Sequence, residues 1–230
     1  MGHMGKTELF LSTDQSTRRC FLRRIALRAL AVTVVTPGML IGRSAYATGL
    51  AEDAEEFIRG MANTAIVRLT DTEITRDERK VRMRNLMAEY FFVRGIAQWV
   101  LGRFWRRASK EERDEYVTLF EDLMVESYVD RFASYSGETL AIVKTDVRNE
   151  KDVVVSSTLT RPETNEPIQL DWRVRARGDS YKIVDIMVEG ISMGQTQRSE
   201  FASAIKNNGG DIAKFLVELR ERVSIAASGA

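Results

Sequence analysis

The chain has 230 residues, with 34 basic and 33 acidic side chains and a formal net charge of +1, enough for one large domain or two small ones. Seven of the basic residues but only two of the acidic ones fall in 1–47, so residues 48–230 hold 27 basic and 31 acidic side chains and a net charge of −4; such a body has no footprint for nucleic acid. His3 and Cys20 are the only histidine and cysteine, so once residues 1–47 are removed there is no His/Cys zinc site, cysteine nucleophile, Ser-His-Asp triad or disulfide to build, and neither a metal nor a cofactor is expected.

The N-terminal stretch reads as an export leader. Ala29–Gly42 is apolar and flanked by Arg28 and Arg43. It is shorter than the roughly 20 residues that span a bilayer, and it leads to Ala45-Tyr46-Ala47, a small-residue cleavage site. The expected mature chain starts at Thr48 and the expected compartment is the periplasm. Thr17-Arg18-Arg19-Cys20-Phe21-Leu22-Arg23 resembles a twin-arginine signal; the pair also fits a general secretory n-region. Met1 to Met4 fit a cloning scar.

Residues 48–230 are expected to form one α+β domain: helices, then strands, then helices. Phe57, Met61, Ala65, Ile66 and Leu69 recur at helical spacing over 50–70. Thr75 with Glu78, and Ser109 with Glu112, have the spacing of capping boxes and open two further helices. Between those two helices Phe91 to Arg107 reads as a third, more apolar one. The period then falls to two, giving strands over 140–148, 153–161, 169–177 and 181–189 joined by short turn-rich links, an antiparallel meander. Leu170, Trp172, Val174 and Ala176 alternate with Gln169, Asp171, Arg173, Arg175 and Arg177, so one sheet face is expected to be wet. Two helices follow at about 196–207 and 211–226, split by Gly209-Gly210 with Asp211 as N-cap. A filled core and a core with a cavity produce the same apolar pattern.

Two segments carry more than periodicity. One runs from Val93-Arg94-Gly95-Ile96-Ala97 through Leu101-Gly102-Arg103-Phe104-Trp105-Arg106-Arg107-Ala108-Ser109 to Glu112, Phe120 and Tyr128. The other is Val184-Asp185-Ile186-Met187-Val188-Glu189-Gly190-Ile191-Ser192 with Arg198-Ser199-Glu200-Phe201 and Gly209-Gly210. Together they resemble the MlaC, or toluene-tolerance, family of periplasmic phospholipid-binding proteins, including its hopanoid-associated HpnM branch. The resemblance covers residues 50–222 in order. It implies helices on a curved four-stranded antiparallel sheet enclosing an apolar cavity. Acyl chains lie inside, with the headgroup near solvent. It also implies a shuttle between an outer-membrane lipoprotein complex and an inner-membrane ABC transporter, carrying phospholipid or a hopanoid-type lipid as cargo. The twin-arginine leader departs from the plain secretory signal expected there.

Strand alternation and helix faces nominate Trp172, Ile186, Val188, Ile191 and Phe201, with Ile96, Val100, Phe120, Leu123 and Tyr128, as the cavity border. Asp185 and Glu189 fall on one face of the last strand at acid/base spacing, but no further catalytic group accompanies them, and no catalytic residue is assigned. Two rivals to the carrier remain: an enzyme on a similar cone-shaped α+β scaffold, and a non-catalytic envelope scaffold with a filled core.

Overall fold

A computed structural model describes residues 41–162, 166–178 and 180–228. The apolar leader segment up to residue 40, with Arg18, Arg19, His3 and Cys20, lies outside the described residues. The elements in chain order are α1 (Ile41–Leu69), α2 (Arg76–Tyr90), α3 (Val93–Leu101), a 3-10 turn (Gly102–Arg106), α4 (Lys110–Ala133), β1 (Thr139–Val147), β2 (Asp152–Thr160), β3 (Pro167–Arg177), β4 (Ser180–Val188), β5 (Ile191–Ser192), α5 (Met193–Asn207) and α6 (Ile212–Ala227). The α+β class and the meander are as expected; α1 runs straight through the expected cleavage point before Thr48.

The caps set the helix starts. Ser109 and Glu112 form the full capping box, each side chain accepting from the other's backbone N–H. At α2 only Thr75 Oγ accepts, from Glu78 N. Asp211 accepts from Lys214 N and opens α6. The helix expected at 196 begins three residues earlier, because Ser192 Oγ accepts from Gln195 N and makes a cap of a stretch that reads as loop. The helix expected over 91–107 is broken. Gly102 adopts φ +60° and ψ −127°, a conformation open almost only to glycine, and the chain tightens into the 3-10 turn.

All neighbouring strands are antiparallel, in the order β1-β2-β3-β4-β5. The sheet has five strands where four were expected. Glu189 and Gly190 both take positive φ, 50° and 77°, which makes a two-residue turn matched to strand twist and lets Ile191 pair with Val188. Bulges at Ile142/Lys144 and at Arg173/Val174 interrupt the register. The second inserts Val184, so Tyr181 and Ile183 share an inner face with Ile186, while Asp185 turns to the outer one.

Three apolar clusters hold these elements. The first joins α3, the 3-10 turn, α4, α5 and α6 around Tyr116, Phe120, Phe201 and Phe215. The second lies between α1 and the inner sheet face. The third joins the end of α1 to α2 and α4 through Leu69, Leu86 and Val125.

Candidate functional site

The layer between α1 and the sheet is built by two periodicities meeting. Helix α1 offers Leu50, Ala54, Ile58 and Met61 at steps of three and four. The strands offer Val153, Val155, Trp172, Val174 and Ile183 at steps of two, all buried. Phe57 joins the rim, its ring centroid 5.4 Å from Tyr90 and 5.9 Å from Tyr181. Polar groups anchor the helix at its margins. Tyr181 Oη donates to Asp53 Oδ2 at 2.9 Å, and Thr64 and Tyr90 share a hydrogen bond of 3.1 Å. Toward β1 the layer thins, and Leu140, Ile142 and Val147 are only half-buried.

One polar chain crosses the layer. Trp172 Nε1–H donates to Ser157 Oγ at 2.9 Å, and Ser157 Oγ donates to the Leu170 carbonyl at 3.1 Å. Both groups are satisfied, so they orient the indole without offering a reactive atom. The buried charged side chains among the described residues, Arg79, Glu126 and Asp185, lie on α2, α4 and the outer face of β4, and among the described residues no group of acidic, His or Cys side chains could hold a metal ion.

The nominated cavity residues separate. Trp172 and Ile186 belong to the α1–sheet layer. Val100, Phe120 and Phe201, with Ile96 and Leu123 packed against them, belong to the helical cluster. There Phe201 meets Phe215 at 5.1 Å and Tyr116 at 6.1 Å. Val188 is half-buried, cross-strand from Leu170 and Ile191. Two of the residues are exposed. Ile191 is 60% exposed because it sits past the Glu189-Gly190 turn, and Tyr128 is 37% exposed, beneath the Arg131 guanidinium. Seven of the ten residues thus divide between two apolar clusters, and Val188, Ile191 and Tyr128 fall outside both. Ala54, Ile58, Val153, Val155 and Ile183 were not nominated, although the period-two pattern of β2 was sufficient to single out its two valines.

The carboxylates Asp185 and Glu189 are engaged separately. Asp185 accepts from Ser192 Oγ at 2.6 Å and from Gly194 N at 3.1 Å, against the start of α5. Glu189 accepts from the backbone N–H of Gln169. In the helical cluster burial pushes the Tyr116 phenol well above its ordinary pKa; it stays neutral and donates to the Ala97 carbonyl at 3.1 Å.

An antiparallel meander with its apolar face roofed by a long helix, and a separate helical cluster, defines an α+β class whose interior layer is predominantly apolar. Within that class the chain belongs to the MlaC family: the family model for the MlaC protein matches residues 59–221. It is 20% identical over 150 residues to the intermembrane phospholipid transport system binding protein MlaC of Haemophilus influenzae, covering 63% of this chain and 70% of that one. It is also 20% identical over 123 residues to toluene tolerance protein Ttg2D of Pseudomonas putida, covering 53% of this chain and 57% of that one. A phospholipid-binding protein from Ralstonia solanacearum, solved in complex with a phospholipid, has the same fold. Its TM-score is 0.65 at 24% identity, over 75% of this chain and 97% of that one.

Proposed function

We propose that this protein is a phospholipid carrier of the bacterial envelope, and that acyl chains enter between α1 and the inner sheet face. The observation that carries this reading is the composition of that layer: a helix and four strands present apolar surface to one another, with the satisfied Trp172–Ser157 pair in its midst. Family membership and the phospholipid named for the relatives support it. The physical need is large. Two acyl chains of about 30 methylenes cost on the order of 24 kcal/mol to expose to water, so a lipid crosses an aqueous compartment only inside such a layer. No catalytic step is part of this reading.

In this proposal the layer opens by displacement of α1 on the side of β1, where its cover is thinnest. In this reading the protein works in the periplasm and passes phospholipid, or a hopanoid-type lipid, between an outer-membrane lipoprotein complex and an inner-membrane ABC transporter; the leader-like N-terminal sequence and family membership support it. No helix among the described residues is long and apolar enough to cross a membrane. Mass spectrometry of solvent extracts from natively purified protein tests the reading: about one lipid per chain is expected, and lipid-free protein from an envelope fraction rich in phospholipid would overturn it.

A further inference from the structure

At the end of α3, away from the apolar layer, an open cleft of about 330 Å³ is lined by Gly95, Gln98, Trp99, Gly102, Trp105, Arg106 and Arg198. Its charged lining is wholly basic. Arg198 is held in place: its Nη1 donates to the Trp99 carbonyl at 2.9 Å, and its guanidinium lies 5.3 Å over the Trp99 ring. The same guanidinium occupies the space a side chain on Gly102 would take, 3.1 Å from an added Cβ. Arg113 lies 5.6 Å over Trp105 and donates to the Trp105 carbonyl at 2.8 Å. Among the described residues none of Arg103, Arg106, Arg107, Arg113 or Arg198 has a carboxylate partner.

Two acids at the start of α4 are already engaged. Glu112 closes the capping box, and Asp114 sits between Lys110 at 2.8 Å and Arg94 at 3.2 Å. Arg198 and Arg113 thus lie over the two indoles, Arg106 lines the same cleft, and Arg103 and Arg107 lie over the adjoining Phe104 ring; Trp99 is 40% exposed, and residues 48–230 carry a net charge of −4. Guanidinium forks match phosphate oxygens, and indoles settle at the level of lipid headgroups. That pairing of chemistries favours a lipid surface over an acidic peptide, which needs the charges without the exposed rings. We propose that this cleft is a docking surface for an anionic phospholipid bilayer, with Arg106 and Arg198 receiving headgroup phosphates. It rests on the carrier reading only in its purpose, bringing the protein to the membrane.

The test is co-sedimentation of the protein with vesicles of phosphatidylglycerol and phosphatidylcholine, against vesicles of phosphatidylcholine alone. Binding to the anionic vesicles is expected, falling as salt rises. The double variant Arg106→Gln/Arg198→Gln should bind roughly 25-fold more weakly, at about fivefold for each basic residue near such a surface. Arg59→Gln/Arg68→Gln, which removes the same charge from α1, should bind like the parent. Arg106→Gln alone breaks no hydrogen bond within the protein, so its roughly fivefold loss guards against misfolding of the double variant. Equal loss in the α1 variant, equal binding to both vesicle types, or displacement by millimolar inorganic phosphate in place of vesicle capture would each overturn the proposal. So would binding of an acidic peptide but not of vesicles. Lipid content measured on the same samples separates this outcome from failure of the carrier reading.

Discussion

Trp172 Nε1 and Ser157 Oγ lie 2.9 Å apart in the middle of the apolar layer, on the diagonal two residues from facing each other, since Trp172 opposes Val155 and Ser157 opposes Leu170. Ser157 thereby serves two clients, the indole and the Leu170 carbonyl. Ser157→Ala leaves the indole N–H without a partner, while the Leu170 carbonyl keeps its pairing in the β2–β3 ladder, and is expected to cost about 1–3 kcal/mol. Trp172→Phe removes the indole donor but keeps the serine bonded to Leu170. A urea-denaturation double-mutant cycle should therefore show the double variant less destabilised than the sum of the two, with a coupling of about 0.5–1.5 kcal/mol. Strict additivity would mean the bond does not form.

Gly102→Ala is expected to destabilise by about 1–3 kcal/mol. The backbone at φ +60°, ψ −127° penalises any Cβ, and the new methyl meets the Arg198 guanidinium at 3.1 Å. Thermal unfolding reads the loss, and adding Arg198→Ala should return only the contact part of it. If the second substitution restores the parent melting temperature, the backbone carries no strain.

Much of this fold was legible in the sequence because its signals are local. Ser109–Glu112 and Asp211 act through their own helix starts, and the alternation of β3 needs only the two faces of one strand. What was not legible depends on longer range or on subtle backbone geometry. Gly102 reads as a tolerated glycine inside an apolar helix until the chain turns there, and Ser192 reads as loop until its cap forms. Val184 adds one residue to β4 and reverses the facing of Asp185, which no periodicity over nine residues reveals. The candidate site suffered most. Phe120, Phe201 and Trp172 are all large, apolar and buried, and the sequence has no means of telling that the first two pack in one cluster and the third in another.

Asp152 and Arg175 join adjacent strands through bonds of 2.6 and 3.2 Å. The Arg175 hydrogen bond holds the Asp152 carboxyl below the ordinary carboxylate range. A lowered folded-state pKa contributes stability that is fully present above the unfolded value of about 3.9 and disappears as pH falls through the folded value. With Arg175 partly exposed, solvent screening limits the contribution to about 0.5–1 kcal/mol. Asp152→Asn should thus lower the stability at pH 7 and flatten its dependence on pH below about 4. A pH-melting series of parent and variant with the same slope there would show that the pair contributes nothing.

The separation of the two clusters can be decided by comparing one substitution in each. Val155 is fully buried in the centre of the α1–sheet layer, and Phe201 is fully buried among Tyr116, Phe120 and Phe215. If acyl chains part α1 from the sheet, Val155→Trp fills the space they need. Because Val155 is fully buried, the lipid-free protein is expected to lose about 1–3 kcal/mol from overpacking, and lipid per chain should fall severalfold. Phe201→Leu loses aromatic contacts far from that layer and should cost about 1–3 kcal/mol, within the range for truncating buried apolar side chains, while lipid per chain stays at the parent value. The two variants thus have similar melting temperatures and opposite lipid contents, which removes global stability as an explanation. The measurement is phosphorus per protein and extracted-lipid mass spectrometry beside a thermal melt. Lipid retained by Val155→Trp and lost by Phe201→Leu would move the acyl chains into the helical cluster, among Ile96, Val100, Phe120 and Leu123.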